Sequence, residues 1–304
     1  MDLFKSTNSS DSIYVQLRDN SNLAKQRSFI NRLYNDQFQP YADRDFDCSF
    51  PQKCISHFWE MYLGCALLNS GFTLVPKNAR PSSGPDFCIA QEKSHVWIEA
   101  VTPEIGKGPD SLKDVNNPMT HSFNVIPDDQ IVLRFCSAIR DKYCNHLRHL
   151  SKGLVPPNDP FLIAINGAGL PIQYSGTNLL GSLPYVIQAV LPLGQDSIIL
   201  DVNTKQVIYE GPKGRSQIVK KSGALVPTNI FLDCTYGFIS ALIFSNSHPL
   251  FTSSVELGSL SLLHNHSQLN ILPHGWLVCG TEWWLEETEA LYTLFSKTLN
   301  PRQD

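Results

Sequence analysis

The clearest pattern of hydrophobic and polar residues lies between Pro51 and about Gly71, where apolar side chains repeat every three or four positions. This period predicts an amphipathic helix, and glycine is a residue that commonly ends one. Three short runs of strand-like composition follow, separated by turn-forming residues: Phe72 to Val75, Asp86 to Gln91 and His95 to Thr102. The pattern therefore predicts one helix followed by a three-stranded meander.

A second long helix is predicted to begin at Asp128 or Asp129, either of which can cap it, and to end near Ser151. The run Phe161 to Asn166 is apolar at almost every position, which predicts a strand buried on both faces. The predicted order is therefore helix, three strands, helix, strand. Between the meander and the second helix, residues 103–127 are rich in Gly, Pro, Asp and Asn and predict a long exposed loop.

The two ends of the chain differ in pattern from this central region. Residues 1–48 are polar, with one predicted helix around Asn22 to Asn35, and are interpreted as an N-terminal arm. The sequence thus predicts an arm, an α/β domain at 49–170, and a β-rich C-terminal lobe at 171–304 that ends in a helix near Glu282 to Leu299. The strands predicted in the lobe are Tyr185 to Val190, Ser197 to Asp201, Gln206 to Tyr209, Asn229 to Cys234 and Phe238 to Phe244.

Composition narrows the class of protein. The chain has 304 residues, and a hydrophobic content of 42% is enough to fill an ordinary globular core. No apolar run approaches the roughly 20 residues of a membrane span, and the first ten residues lack the layout of a secretion signal. We therefore expect a cytoplasmic protein without a membrane partner. The eight cysteines include no Cys-x-x-Cys pair, so neither disulfides nor a structural zinc is expected.

The charge distribution bears on possible ligands. A formal net charge of -4 is not typical of a nucleic-acid binder. Basic residues nevertheless cluster in two segments, 134–152 and 205–221, each with five Lys or Arg against one acidic residue. These segments are either ordinary solvated faces or surfaces that bind phosphate, and the sequence leaves both readings open.

Two carboxylates on neighbouring predicted strands point to a metal site. If Glu92–Lys93 forms a two-residue turn, Gln91 lies opposite Ser94. Counting back along the ladder then places Asp86 opposite Glu99 on one face of the sheet. Facing carboxylates repel each other, so this arrangement favours a hard cation such as Mg²⁺ between them. The alternative is a set of surface carboxylates on a half-exposed sheet.

Three further charged residues lie close to the apolar stripes of the two long helices. Glu60 falls at the margin of the first stripe, where it can reach the sheet and complete an oxygen-rich site for Mg²⁺ or Mn²⁺. Lys142 is the next position on the second stripe after Ile139, so it either extends to solvent or pairs with buried carboxylates. Arg134 borders the same stripe and is a candidate phosphate ligand.

The predicted αβββαβ order, the helical acid, Pro85-Asp86 at the start of one strand and Glu99-Ala100-Val101 at the end of the next resemble the PD-(D/E)XK phosphodiesterase superfamily. The resemblance covers roughly Pro51 to Gly167. It implies a restriction-endonuclease-like fold with a mixed sheet, in which Asp86 and Glu99 bind a catalytic Mg²⁺ or Mn²⁺.

The same resemblance implies roles for neighbouring residues. Glu60 would assist, and the carbonyl of Ala100 is an additional candidate metal ligand. The lysine that normally follows the motif glutamate by two residues is replaced by Val101. Some members of the superfamily supply this lysine from a helix, and Lys142 is the candidate here.

These features predict metal-dependent hydrolysis of phosphodiester bonds in nucleic acid, with DNA preferred over RNA by analogy with the superfamily. One alternative is a catalytically inactive relative that binds nucleic acid or a protein. Another is a regulatory protein whose functional surface is provided by residues 171–304. The pair His264 and His266 is a weaker candidate for zinc, because no third ligand accompanies it at a fixed spacing.

Overall fold

A mixed β-sheet with helices on both faces organises the computed structural model, which describes residues 1–92, 94–112, 126–171 and 183–299. The helices are α1 (Ser12–Asp19), α2 (Ala24–Arg32), α3 (Phe46–Ser49), α4 (Cys54–Asn69), α5 (Asp128–Ser151) and α6 (Tyr185–Gln188). The strands are β1 (Phe87–Ala90), β2 (His95–Val101), β3 (Phe161–Asn166), β4 (Leu193–Leu200), β5 (Val207–Gly214), β6 (Gln217–Val219), β7 (Leu225–Pro227), β8 (Ile239–Ser245), β9 (Ser261–His264), β10 (Gly280–Glu287) and β11 (Tyr292–Leu299).

Seven of these strands form one sheet, in the order β1-β2-β3-β8-β9-β10-β11. The central strands β2, β3 and β8 run parallel to one another, and β9 is parallel to β10, whereas the other neighbouring pairs are antiparallel. The hairpins β4-β5 and β6-β7 form two separate small sheets. The predicted α/β class with a mixed sheet is therefore confirmed.

The alternation of side chains along the strands explains why helices cover both faces. Phe87, Ile89 and Ile98 belong to the hydrophobic cluster that contains the buried face of α4. Cys88 and Trp97, one position away, belong to the cluster that contains the buried face of α5. Successive residues of a strand point to opposite faces, so Glu99, two residues after Trp97, points toward α5.

The predicted meander is present, with a shorter first strand. Leu74 forms an isolated antiparallel bridge with Ile89, so the predicted strand at Phe72 to Val75 is reduced to a single bridge. β1 and β2 then form the antiparallel hairpin, and α5 crosses over to β3, which pairs with β2 in parallel. Residues 113–125 of the predicted long loop lie outside the described residues.

The N-terminal residues, interpreted from the sequence as an arm, pack against the core. Tyr14, Leu17, Ile30, Phe38 and Phe46 are all completely buried in the cluster that contains α4. The short helices α1 and α2 each bury only two side chains, and these side chains face the core. The average hydrophobicity of the segment is therefore low although the segment is packed against the core. The predicted boundaries at residues 48 and 170 stay a prediction, but side chains from both sides of residue 48 share one core.

The predicted C-terminal helix at Glu282 to Leu299 is wrong, because this segment forms the β10-β11 hairpin. Trp283 and Leu285 on β10 and Tyr292 and Leu294 on β11 line one cavity. Their spacing follows the two-residue period of a strand, which aligns each pair on one face.

Two predicted strands of the C-terminal region are also wrong. Tyr185 to Val190 contains helix α6, and Asn229 to Cys234 contains the 3₁₀ turn Ile230–Leu232. Short buried apolar runs suit either a strand or a buried helical turn, so composition alone does not separate them. The strands predicted at 197–201, 206–209 and 238–244 overlap β4, β5 and β8. Among the described helices, none combines the length and apolar character needed to span a bilayer.

We expect Phe38→Ala to lower the free energy of unfolding by about 3–5 kcal/mol, because it leaves a cavity in the core next to α4. The buried ring of Phe38 lies 6.2 Å from that of Phe87 on β1. The measurement is urea unfolding, with Ile271→Ala, at a side chain that is 75% exposed, as the matched control. A loss no larger than the control's would contradict the packing of the N-terminal segment into this core.

Candidate functional site

Asp86 and Glu99 lie together at one edge of the sheet. The antiparallel ladder pairs Phe87 with Ile98, so the next position outward along the same register places Asp86 opposite Glu99. At the other end of the hairpin, the Gln91 amide donates to the Ser94 carbonyl at 3.0 Å, as the predicted register requires. This edge also contains the carboxyl ends of the parallel strands β2, β3 and β8.

Lys142 on α5 brings the two carboxylates together. Its Nζ donates to Glu99 Oε2 at 2.6 Å and lies 3.6 Å from Asp86 Oδ2. The predicted inward stripe of α5 is present, since Ile131, Phe135 and Ile139 are buried, and the largely covered Lys142 is the next position on it. Of the two alternatives for this lysine, the structure has the pairing with carboxylates.

The charge of this cluster is strongly perturbed by burial. Only 5% of Glu99 is exposed. Burial first, and then the charge of Asp86, raise the pKa of Glu99 to about 7 even though Lys142 acts in the opposite direction. Burial lowers the pKa of Lys142, but Asp86 and Glu99 outweigh it and raise that pKa above its ordinary value. The lysine is therefore charged, and one ammonium faces two carboxylates.

The main chain also holds Asp86 in place. The backbone amide of Ala100 donates to Asp86 Oδ2 at 2.7 Å, across the end of the hairpin. This bond fixes one carboxylate oxygen toward the residue that follows Glu99. The role of the Ala100 carbonyl as a ligand stays a prediction.

His149 is a member of the cluster that sequence reasoning missed. Its Nδ1 lies 3.6 Å from Glu99 Oε1, the oxygen not bonded to Lys142. Burial and the charge of Lys142 lower the pKa of His149, which favours the neutral imidazole at this position. The signal in the sequence was its spacing, because a residue seven positions after Lys142 lies on the same face two helical turns later.

Glu60 on α4 lies near Asp86 and has a histidine as its partner. Its Oε2 is 3.4 Å from Nδ1 of His57, whose Nε2 is 2.9 Å from Ser49 Oγ. Burial, the largest cause, and the charge of Asp86 raise the pKa of Glu60. Among the described residues, no hydrogen bond or ion pair joins Glu60 to Asp86 or Glu99. The charge of Asp86 thus affects the pKa of Glu60, and the direct partner of Glu60 is His57.

Arg134 lies on α5 at the margin of the same edge. It precedes Lys142 by eight residues, which corresponds to about 12 Å along the helix axis. Its guanidinium packs over Gly106, where an added Cβ would overlap Nη1. Gly106 belongs to the segment after β2, so Arg134 lies beside the chain that leaves the cluster.

The cluster of Asp86, Glu99 and Lys142 offers fewer side-chain ligands than a metal site built entirely from protein groups. Within the part of the chain that the structure describes, no group of three or more His, Cys, Asp or Glu side chains is placed to hold a metal ion. His264 and His266 bind different carboxylates, with Nε2 of each at 2.8 Å from Glu282 and 3.1 Å from Glu287 respectively.

Comparison with known proteins adds no relative: no family model, curated protein or solved structure matches this chain.

We expect Lys142→Met to destabilise the protein by about 3 kcal/mol at about pH 8, and by clearly less at about pH 5.5. Burial and Asp86 raise the pKa of Glu99, and loss of the ammonium raises it further. At the lower pH Glu99 therefore holds a proton readily, whereas at the higher pH the folded variant must either keep that proton in a more alkaline solution or ionise Glu99 without a partner. Because the native state then binds protons that the unfolded chain has released, stability falls as the pH rises. Urea unfolding at both pH values is the measurement.

Arg140→Met is the matched control, since Arg140 is an exposed cation on the same helix. An equal loss of stability at both pH values would show that Lys142 contributes by packing instead of by its charge.

Proposed function

We propose that this protein hydrolyses phosphodiester bonds in nucleic acid with a divalent cation, Mg²⁺ or Mn²⁺, at the cluster of Asp86, Glu99 and Lys142. The observation that carries the proposal is the position of the Lys142 ammonium, 2.6 Å from Glu99 Oε2 and 3.6 Å from Asp86 Oδ2. In this proposal Lys142 of α5 provides the ammonium that the motif normally carries at the position of Val101.

The topology around the cluster supports a restriction-endonuclease-like core. α4 precedes a meander made of the Leu74 bridge, β1 and β2, and α5 then leads to β3 in parallel with β2. This is the αβββαβ order of the PD-(D/E)XK superfamily, with Asp86 opening one strand and Glu99 near the end of the next. The order of the elements and the positions of the two acidic residues support the same proposal, and together they support it more strongly than either does alone.

The donor set fits a hard divalent cation. Asp86 and Glu99 offer carboxylate oxygens, the ligands that Mg²⁺ prefers, and the Ala100 carbonyl is next to them in the chain. When both carboxylates are ionised, the single ammonium of Lys142 leaves one negative charge uncompensated. A bound cation would compensate that charge, lower the pKa of a water molecule and polarise a phosphate oxygen.

The other residues of the cluster have distinct roles in this proposal. Lys142 positions the attacking water and stabilises the negative charge that develops on the phosphate. His149, neutral and beside Glu99, accepts a proton. Arg134 holds a phosphate next to the scissile one, for which a planar guanidinium is suited. Glu60 influences the cluster through its charge from α4.

A second candidate is a nucleic-acid or protein-binding module of the same fold without hydrolytic activity. It is favoured by the Lys142 ammonium itself, which already compensates part of the carboxylate charge. It is also favoured by the lack, among the described residues, of a three-ligand side-chain group. In that case the ion pair is structural, and binding does not depend on a divalent cation.

The test of the proposed function is cleavage of single-stranded DNA, plasmid DNA and RNA in the presence of Mg²⁺ or Mn²⁺. We expect Asp86→Asn and Glu99→Gln each to lower the rate by at least about 10²-fold, because each removes a charge that holds the cation. Glu92→Gln, a matched change on the exposed turn of the same hairpin, should cleave at the wild-type rate. Unchanged cleavage by Asp86→Asn, or no cleavage by the wild type, would contradict the proposal.

The affinity for Mn²⁺ should depend on pH because Glu99 must lose its proton to bind a cation. With a pKa of about 7 for Glu99, we expect the affinity to fall about tenfold for each pH unit below that value. Isothermal titration calorimetry in two buffers of different ionisation enthalpy measures both the affinity and the proton released. The same affinity at about pH 5.5 and about pH 8 would argue against Glu99 as a ligand.

A further inference from the structure

Phe251 occupies an unusual position at the edge of the sheet that contains the cluster. It follows β8, and 65% of its surface is exposed. Its ring packs against the buried imidazole of His248, with ring centroids 5.1 Å apart and planes inclined by 33°. One face of an aromatic ring is therefore supported by the protein while much of the residue stays open.

The turn that carries Phe251 is fixed by its own hydrogen bonds. The amides of Phe251 and Thr252 donate to the His248 carbonyl at 3.0 and 2.9 Å. The Leu250 amide donates to His248 Nδ1 at 3.2 Å, and the His248 amide donates to Thr252 Oγ1 at 3.1 Å. Burial lowers the pKa of His248 to about 4, so the supporting imidazole is neutral near pH 7. The backbone of the turn that carries Phe251 is thus fixed, and the ring packs on a neutral imidazole.

Phe251 separates two cavities, each of a size typical of small-molecule sites. One, of about 520 Å³, lies between the turns after β2 and β3 and is lined by Glu104, Ile105 and the Ala168-Gly169 backbone. The other, of about 480 Å³, is lined by hydroxyl groups, including those of Ser247 and Thr252, and by Glu256. His248 and Phe251 line both cavities.

The chemistry of the two cavities suits an uncharged, flat, polar-edged group. No lysine or arginine lines either cavity among the described residues, which makes them unsuited to a phosphate. An open aromatic ring stacks on a nucleobase, and hydroxyl and carboxylate groups accept or donate hydrogen bonds at its edge. The cations of the neighbouring cluster, Lys142 and Arg134, suit the sugar-phosphate part of the same strand.

The Asp86, Glu99 and Lys142 cluster and the Phe251 turn lie on different strands of the same sheet. Glu99 lies level with Ile163 of β3 and Leu242 of β8 in the parallel register. Two strand spacings, about 10 Å, therefore separate Glu99 laterally from β8, whose end leads into the Phe251 turn. The cavities beside Phe251 are lined by residues of α1 and α4, on the face opposite to the one toward which Glu99 points, so a strand that contacts both sites would have to pass over the edge from one face to the other.

We propose, on the basis of the proposed function, that the substrate is single-stranded or locally unpaired nucleic acid, and that an unstacked base of this strand packs on Phe251. A base inside a regular duplex has both faces covered by its neighbours and is not available to the ring. The site therefore selects strands with accessible bases.

The experiment measures the anisotropy of a short fluorescent single strand in EDTA, so that no cleavage occurs, with a hairpin duplex and an abasic strand as further probes. We expect Phe251→Ala to weaken binding of the single strand roughly 5- to 100-fold, the range of one base stacked on an aromatic ring. Phe251→Trp should retain or strengthen binding. The abasic strand should bind equally to wild type and Phe251→Ala.

Ile271→Ala is the matched control, because Ile271 is 75% exposed and lines neither cavity. The inference is overturned if Phe251→Ala binds the single strand as the wild type does, if the duplex binds more tightly than the single strand, or if no probe binds. Its failure is distinct from that of the proposed function. If binding depends on the base and on Phe251 but no metal-dependent cleavage is seen, only the proposed function is contradicted. If cleavage is lost in Asp86→Asn but unchanged in Phe251→Ala, only the inference about Phe251 is contradicted.

Discussion

The contact between the Lys142 ammonium and the carboxylates of Asp86 and Glu99 is the interaction on which the candidate site depends. Without a cation, two carboxylates at neighbouring positions of a hairpin would repel each other in a poorly hydrated environment. Burial above all, and then the charge of Asp86, raise the pKa of Glu99 to about 7 even with the lysine present. When both carboxylates are ionised, one ammonium leaves one negative charge, which a divalent cation would compensate.

The fold creates this situation through strand direction. β1 and β2 are antiparallel, so the start of one and the end of the other meet at the same edge, where Asp86 and Glu99 lie. The crossover through α5 then places a helix over the face to which Glu99 points. The turns after β2, β3 and β8 meet at this edge too, and parallel strands commonly have ligand sites at their carboxyl ends. Phe251, on which we propose that a base stacks, lies in the turn after β8 at this edge.

The part of the structure that could be predicted from sequence is the part governed by local periodicity. The long stripes of α4 and α5, and the count along the ladder from the two-residue turn at Glu92–Lys93 back to Asp86, are sufficient to predict that Asp86, Glu99 and Lys142 lie close together. His149 was missed although it shares the helical face of Lys142, because a histidine near a helix end has many ordinary explanations.

The failures have physical causes of a different kind. The N-terminal helices bury few residues each, so their contribution to the core depends on tertiary packing that no short window reveals. The β10-β11 hairpin was predicted to be a helix, and its acidic residues do not all lie on a solvated face. Glu282 is in fact buried, accepting hydrogen bonds from His264 and from the Gly275 amide. The Phe251 turn depends on contacts after β8 that sequence spacing does not encode.

The most direct test of the account is a crystal structure of the protein grown with Mn²⁺ and measured at a wavelength that gives anomalous scattering from the metal. The account predicts a peak about 2.1 Å from carboxylate oxygens of both Asp86 and Glu99, with Lys142 Nζ displaced from Glu99 Oε2. No peak at this position, with the lysine still bonded to Glu99 at saturating Mn²⁺, would contradict it.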